Sequence, residues 1–225
     1  MTLACLSFCG MAVLVRGLAR DIPPLEIGFF RAFGGLLLMV PYALRAGKFI
    51  WQTENQKVYA ARGCTGAIFI ICFFPGVSLM EIADAQALTF TTPLFGFLLA
   101  LFFLGENLSF QRGCALLIGF FGALVILRPH FDFTNLGAFL ILISAIAAAA
   151  SGTFLKFSTR KDAPDKIVFY HGLYMSPLVL LATLPEWHWP TFQQFFVLVI
   201  IAALATLNQR CLSRSFSVSD ATAVL

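Results

Sequence analysis

Long apolar runs separated by short polar connections organise the whole chain. The runs approach the roughly 20 residues that cross a bilayer at 1.5 Å per residue. They predict an all-α polytopic membrane protein with eight full transmembrane helices and the start of a ninth. The predicted spans are residues 2–18, 25–44, 59–79, 81–106, 110–127, 136–155, 167–184 and 192–212, with the ninth segment beginning near residue 217.

The fourth run differs from the others because a proline interrupts it. Glu81 and Asp84 open the run, and Pro93 lies near its middle beside Thr89 and Thr92. Proline removes a backbone donor and frees a carbonyl, and lipid cannot satisfy either group. Such a break is tolerated where it faces protein or a wet cavity, so this span is predicted to contribute to a binding site.

The composition excludes a soluble enzyme or a nucleic-acid-binding domain. The chain is 60% hydrophobic and 12% charged, whereas a soluble domain has about 25% charged residues. No connection is long enough for a catalytic domain. The sequence has no Walker, G-x-S-x-G or H-E-x-x-H motif, and its six cysteines form no C-x-x-C pair. We expect no catalytic residue, no metal, no cofactor and no nucleic-acid partner.

Basic residues are distributed unevenly between the two sets of connections. Most lie after the second, fourth, sixth and eighth spans, and the opposite set has only Arg16, Arg20 and Arg128. By the positive-inside rule this places the N-terminus in the cytoplasm, with Trp187 and Trp189 at the outer interface. The residues on the cytoplasmic side are Arg45, Lys48, Lys57, Arg62, Arg112, Lys156, Arg160, Lys161, Lys166, Arg210 and Arg214.

Two parts of the chain can be laid over one another. Residues 26–31 fall on residues 166–171 at an offset of 140, and residues 82–87 fall on 218–223 at an offset of 136. This predicts a first repeat over residues 1–130, with five spans, and an incomplete second repeat over 131–225. An odd number of crossings inverts the second copy, and inverted repeats are typical of secondary transporters.

Charged and polar groups within the spans are candidates for a substrate cavity. Arg31 either holds an anion there, or is a structural arginine that reaches the interface or pairs with Glu26 or Glu106. His171, at the corresponding position of the second repeat, has either a proton-linked or a packing role. The candidates are Arg31, Phe73, Phe74, Gln86, Thr89, Thr92, Pro93, Ser144, His171 and Asn208.

The order of motifs resembles the drug/metabolite transporter superfamily, EamA type, over nearly the whole chain. The matching pieces are residues 25–31 (LEIGFFR), 84–94 (DAQALTFTTPL), 104–106 (LGE), the glycines at 113, 119 and 122, and 128–129 (RP). Within that superfamily, residues 107–112, 128–130 and 216–223 look most like the bacterial S-adenosylmethionine uptake transporters.

The resemblance implies ten helices in two inverted halves, in a bacterial inner membrane with both termini cytoplasmic. It implies alternating-access transport of a small organic metabolite, with S-adenosylmethionine or a related compound as a candidate; a homodimer is left open. This chain departs from the ten-helix pattern, so we expect a truncated product. The alternatives are an exporter of amino acids, other metabolites or drugs, a non-transporting membrane subunit, and a non-functional fragment.

Overall fold

The chain is helical throughout the part that the computed structural model describes. The structure describes residues 2–19, 21–50, 53, 55–104, 110–127, 136–159 and 161–218, and these ranges contain no strand. The predicted all-α class is therefore confirmed. The helices are α1 (Thr2–Leu18), α2 (Pro24–Ala46), α3 (Gln56–Ser78), α4 (Ile82–Thr89), α5 (Thr92–Leu99), α6 (Phe110–Leu127), α7 (Leu136–Thr159), α8 (Pro164–Thr183) and α9 (Phe192–Val218), with 3₁₀ turns at Gly47–Ile50 and Leu184–Glu186 and a π-helical turn at Ala100–Leu104.

Six segments among the described residues are long and apolar enough to cross a membrane. The prediction of eight full transmembrane helices and the start of a ninth is therefore wrong. Two predicted spans contain only the shorter apolar helices Leu6–Leu18 and Gly113–Gly122, about 20 and 15 Å long, below the roughly 30 Å of bilayer hydrocarbon. The six segments are Pro24–Ala46, Gln56–Ser78, Ala83–Phe103, Leu136–Thr159, Pro164–Glu186 and Phe192–Ser217.

The predicted ninth segment also begins in the wrong place. α9 continues to Val218, so residue 217 belongs to the last turn of the preceding helix. The serines and Arg214 after residue 212 favour a connection in the sequence, but they are compatible with a helix end that emerges from the membrane. Residues 219–225, on which the rest of that prediction falls, lie outside the described residues.

The fourth span is broken close to its proline, as the sequence predicts. α4 ends at Thr89 and α5 begins at Thr92, with Pro93 in its first turn, where the missing backbone donor costs no helical hydrogen bond. At the break, Thr91 Oγ1 donates a hydrogen bond to the carbonyl of Leu88 at 2.6 Å. A side chain therefore satisfies a carbonyl in a region where lipid could not.

The packing of the helices follows a simple exchange pattern. α2 packs along α8; α3 packs along α7 and α8; α9 packs along α1 and α2. The same set of pairings results when α1 is exchanged with α7, α2 with α8 and α3 with α9. The α3–α7 pair then becomes the α9–α1 pair, and the α3–α8 pair becomes the α9–α2 pair. Small buried residues such as Ala145 and Ala149 let α7 lie close to its neighbours, which is how helices without a hydrophobic driving force gain packing energy in lipid.

Glycines bring the backbones of α3 and α8 together. A Cβ at Gly63 would clash with the Tyr174 side chain and lie 3.1 Å from its backbone carbonyl carbon. One turn later, a Cβ at Gly66 would lie 2.6 Å from Cε1 of His171. The absence of side chains at these two positions therefore lets the His171 ring lie directly against α3.

Polar contacts tie the helices together where α3 and α8 begin, which we call the Asp162 end. Oδ2 of Asp162 accepts hydrogen bonds from the Tyr59 hydroxyl at 2.7 Å, the Asn55 amide at 2.9 Å and the Thr53 hydroxyl at 3.2 Å. Its Oδ1 lies 2.8 Å from Nζ of Lys166. Burial opposes ionisation, but the contacts to Lys166, Tyr59 and Asn55 outweigh it and hold the pKa of Asp162 below its ordinary value.

The opposite end, which we call the Trp187 end, is joined mainly by aromatic packing. The Trp187 ring lies 5.6 Å from that of Phe29 and 5.8 Å from that of Phe30. Glu26 is fully buried there, and its Oε2 accepts a hydrogen bond from the backbone N–H of His188 at 3.1 Å. α8 is therefore held at both ends, by hydrogen bonds to the start of α3 at one end and by aromatic packing on α2 at the other.

Candidate functional site

A cavity of about 270 Å³ lies between two groups of helices, α1 to α3 and α7 to α9. α1, α2, α3, α7, α8 and α9 all contribute to it, and α5 adds Thr92. A recess of about 40 Å³ between α2, α8 and α9 shares Arg31, His171 and Gln209 with it. The described lining residues are Phe8, Met11, Arg31, Arg62, Gly66, Phe69, Thr92, Ala148, Ser151, Gly152, Leu155, His171, Met175, Ala205, Asn208, Gln209, Leu212 and Phe216.

Arg31 projects from α2 into this cavity and is half-buried. It has no hydrogen bond or ion pair with any other described residue. Glu26, one proposed partner, instead binds the backbone of His188, and Glu106 lies outside the described residues. The cavity interpretation of Arg31 therefore gains support over the pairing with Glu26.

Arg62 is a buried charged residue of the cavity that the sequence analysis did not include among the site candidates. Only 2% of it is exposed, and it donates to the carbonyl of Ile167 at 3.2 Å and to Oε1 of Gln209 at 3.1 Å. Its Nε has no partner among the described residues. We counted Arg62 with the connection before the third span, although the predicted span, 59–79, already contained it. That position was the available signal of a buried arginine.

His171 faces the cavity from α8, across from Arg31 on α2. Its ring is buried against Gly66, and its Nδ1 has no hydrogen-bond partner within the described part of the chain. Arg31 and His171, which the sequence offset of 140 pairs, therefore line the same cavity.

The described residues that line the cavity carry positive charge and no negative charge. Two arginines line it, and no acidic residue occurs among its described lining residues. The buried carboxylates of Glu26 and Asp84 are outside that set. A ligand in this cavity would meet guanidinium groups in a low-dielectric environment, where charge interactions are stronger than in water.

Aromatic and thioether side chains form a large part of the remaining wall. Phe8, Phe69 and Phe216 contribute rings, and Met11 and Met175 contribute flexible sulfur-containing chains. Such groups pack against organic ligands of irregular shape. The cavity therefore combines a cationic part with an adaptable apolar part.

Asn208 lines the cavity with a side-chain amide whose nitrogen already makes a hydrogen bond. Its Nδ2 donates to the carbonyl of Ala4 at 2.8 Å, which links α9 to α1. Its carbonyl oxygen has no partner among the described residues, and Gln209 beside it holds Arg62. α9 therefore contributes both a polar group to the cavity and a support for the buried arginine.

Four of the ten predicted site residues line the cavity, namely Arg31, Thr92, His171 and Asn208. The other six do not. Phe73 stacks on Phe69 with ring centroids 5.2 Å apart, and only Phe69 of this pair is among the described lining residues. Phe74 lines a separate recess of about 180 Å³ near the Trp187 end, with Glu186 and Pro24 among its neighbours.

The remaining four lie on other helix faces or at other depths. Gln86 is exposed on α4, and the Thr89 hydroxyl donates to the carbonyl of Ala85 at 2.8 Å. Pro93 serves as a helix start in α5. Ser144 donates to the carbonyl of Ile141 at 2.7 Å and lies about 10 Å along α7 from Ser151, which does line the cavity. The two serines share a helix face, so the sequence could not distinguish their depths.

Nothing in the described residues forms a metal site. No group of three or more His, Cys, Asp or Glu side chains there could hold an ion. The arrangement offers cationic donors, amides and an apolar wall. It therefore suits the binding of an organic molecule.

A helical bundle with six apolar spans and a partly polar cavity between its helices is the architecture of a multi-pass membrane protein that handles a small molecule. Comparison with known proteins gives the family. The EamA-like transporter family matches residues 1–128. The chain belongs to this family, and the resemblance to the drug/metabolite transporter superfamily is confirmed.

Similar proteins are transporters with different names. The chain is 28% identical over 211 residues to the S-adenosylmethionine uptake transporter of Rickettsia bellii, covering 94% of this chain and 72% of that protein. It is 30% identical over 233 aligned positions to the pseudopaline exporter CntI of Pseudomonas aeruginosa, covering 99% and 78%. It is 34% identical over 139 residues to the riboflavin transporter of Vibrio cholerae, covering 61% and 47%.

A solved crystal structure has the same fold. It superposes with a TM-score of 0.69 at 18% sequence identity, and the match covers 99% of this chain and 92% of that one. Because the identity is low, this likeness concerns the arrangement of helices alone. The substrate therefore has to be argued from the cavity.

Proposed function

We propose that the protein is a secondary transporter that moves a small organic metabolite across the cytoplasmic membrane by alternating access. The observation that carries the proposal is the cavity itself, which α1, α2 and α3 line from one side and α7, α8 and α9 from the other. A site at the interface of two halves is what alternating access requires, because each half can rock against the other around it.

The exchange pattern of the helices supports an inverted repeat, with a first copy over 1–130 and a second over 131–225. Two aromatic pairs correspond under the sequence offsets. Tyr59 and Tyr170 stack with ring centroids 4.6 Å apart, and Phe195 and Phe30 meet edge to face at 6.4 Å. One pair joins α3 to α8 and the other joins α9 to α2, as a twofold relation between the copies would give.

The Asp162 end and the Trp187 end are the proposed gates. The Asp162 end is closed by the hydrogen bonds from Asn55 and Tyr59 to Asp162, and the Trp187 end by aromatic packing of Trp187 on α2. Alternating access then opens one end while the other stays closed. The prediction of a cytoplasmic N-terminus would make the Asp162 end the cytoplasmic gate.

S-adenosylmethionine or a related metabolite is the proposed substrate, supported by the uptake transporters among the similar proteins. The similarity to an exporter makes outward transport of another metabolite the second candidate. We propose no enzymatic activity, because the cavity joins no nucleophile to a base among the described residues and the similar proteins are transporters.

Uptake by purified protein in proteoliposomes tests the proposal. Vesicles loaded with unlabelled S-adenosylmethionine, or with riboflavin as an alternative, are diluted into the labelled compound and counterflow is measured. We expect protein-dependent counterflow of at least one, with S-adenosylmethionine favoured. Equal label in protein-containing and protein-free vesicles for both compounds would contradict the proposal.

A further inference from the structure

We propose that Arg31 and Arg62 form an anion-binding site in the cavity and that the substrate is an organic compound with a carboxylate or similar anionic group. This substrate class rests on the proposed transport function, because it takes the cavity to be the substrate site. Both arginines line the cavity, and neither is paired with a carboxylate of the described residues.

The contacts of the two arginines leave their charge uncompensated. Arg62 is 98% inaccessible, yet its bonds go to two neutral oxygens, those of Ile167 and Gln209, and its Nε is unpartnered among the described groups. Arg31 has no described partner at all. A buried charge is costly unless it is paired, and inside a membrane such residues mark substrate pathways.

The two arginines differ in how firmly they are held. Arg62 is fixed through α8 and α9, because Ile167 and Gln209 accept from two nitrogens of its guanidinium. Arg31 on α2 has no such constraint and is free to close on a ligand. An anion between them would connect α2 and α3 with α8 and α9, and guanidinium groups bind carboxylates through short, strong hydrogen bonds.

The remaining wall determines what the anion is attached to. Phe8, Phe69 and Phe216 with Met11 and Met175 provide an apolar surface. A volume of about 270 Å³ lies near the lower limit for small-molecule sites, roughly 300–1,000 Å³. The class is therefore a compact organic acid or amino acid derivative with an aromatic or apolar body, and an inorganic anion would leave this wall unused.

The test uses matched ligand pairs that differ in the negative charge. One pair is 3-phenylpropionate and 3-phenylpropionamide; the other is S-adenosylmethionine and its decarboxylated form. The full chain is purified in detergent, and its Tm is followed by loss of the monodisperse gel-filtration peak. In at least one pair, the acid at saturation is expected to raise Tm by about 3 °C or more. The compound of that pair without the negative charge should raise Tm by less than about 1 °C.

Variants assign the effect to the arginines. Arg31→Gln and Arg62→Gln should each abolish the preference for the acid. Arg62→Lys keeps the positive charge and should retain part of the preference; it provides the test if Arg62→Gln fails to fold. Arg45→Gln is the matched control, since Arg45 is exposed on the same helix as Arg31 and outside the cavity. It should leave the preference unchanged.

The anion site is overturned if neither acid exceeds its partner, or if the preference survives Arg31→Gln. Its failure is separable from failure of the transport proposal. Counterflow of S-adenosylmethionine and its decarboxylated form at equal rates, with no preference for the acid in either Tm pair, would retain transport and reject the anion site. Acid-selective stabilisation without counterflow of any of the four compounds or of riboflavin would retain the anion site and reject transport.

Discussion

Arg31 of α2 and His171 of α8 line the same cavity, although they lie 140 residues apart in the chain. They lie on two helices that pack side by side, and the predicted repeat gives them corresponding positions. α2 and α8 thus each present a nitrogen-bearing side chain to one space. This relationship underlies the account of the protein as a two-sided transporter.

Replacing Tyr59 with phenylalanine removes one donor from Asp162. The hydroxyl lies 2.7 Å from Oδ2, and a hydrogen bond to a charged group contributes about 1.5–3 kcal/mol. We expect Tyr59→Phe to reduce the free energy of unfolding by about 1.5 kcal/mol, measured by SDS titration in mixed micelles. Tyr174→Phe is the control, because the Tyr174 hydroxyl has no described partner. An equal effect in both variants would mean that the Asp162 contact contributes nothing specific.

Stability should fall in acid through Asp162. Its pKa in the folded protein is below the ordinary value of 3.8, so the ionised carboxylate stabilises the fold above about pH 4. That contribution is lost as the pH falls through the folded pKa. We expect Tm of the wild-type protein to drop more steeply between about pH 5 and pH 2 than that of Asp162→Asn, with the two curves converging. Parallel curves would exclude Asp162 as a source of acid sensitivity.

A methyl group at Gly63 should separate α3 from α8. It would meet the Tyr174 side chain and backbone, which cannot both move aside. Overpacking of this kind costs about 1–3 kcal/mol, and we expect Gly63→Ala to lose that much in the same SDS titration. Gly119→Ala is the matched control, since an added Cβ there would lie within 4 Å of no described atom beyond its own helix backbone, and it should be neutral or slightly stabilising. Equal stability of the two variants would contradict the close contact.

Two glutamines provide a matched test of the site. Gln209 lines the cavity and holds Arg62, whereas Gln86 is exposed on α4. Gln209→Ala should raise the KM for S-adenosylmethionine counterflow about tenfold, as loss of one hydrogen bond to a charged group implies. Gln86→Ala should leave KM unchanged. The reverse order of effects would place the substrate near α4.

Hydropathy predicted the helices well and the number of crossings poorly. The predicted runs 2–18 and 110–127 coincide with α1 and α6, because apolar composition and helix breakers determine where a helix begins and ends. The thickness of the bilayer sets a further length requirement. The uninterrupted apolar parts of these two helices do not meet it in the described structure.

Depth and orientation limited the prediction of the site. Arg31 and His171 were found because a charged or titratable group within an apolar span is conspicuous. Phe73 and Ser144 resemble Phe69 and Ser151 in sequence, and only the packing shows which member of each pair reaches the cavity. Contacts between distant segments, such as that of Arg62 with Gln209, leave no local pattern in the sequence.

The central claim is that the cavity opens alternately to the two sides of the membrane, and the accessibility of Ser151 tests it most directly. Ser151 lines the cavity from α7, and Ser151→Cys in a chain without its native cysteines changes only one atom there. A membrane-impermeant thiol reagent is applied to spheroplasts and to inside-out vesicles. The account predicts labelling from both sides, with S-adenosylmethionine slowing both reactions. Labelling from one side only, with or without ligand, would contradict alternating access through this cavity.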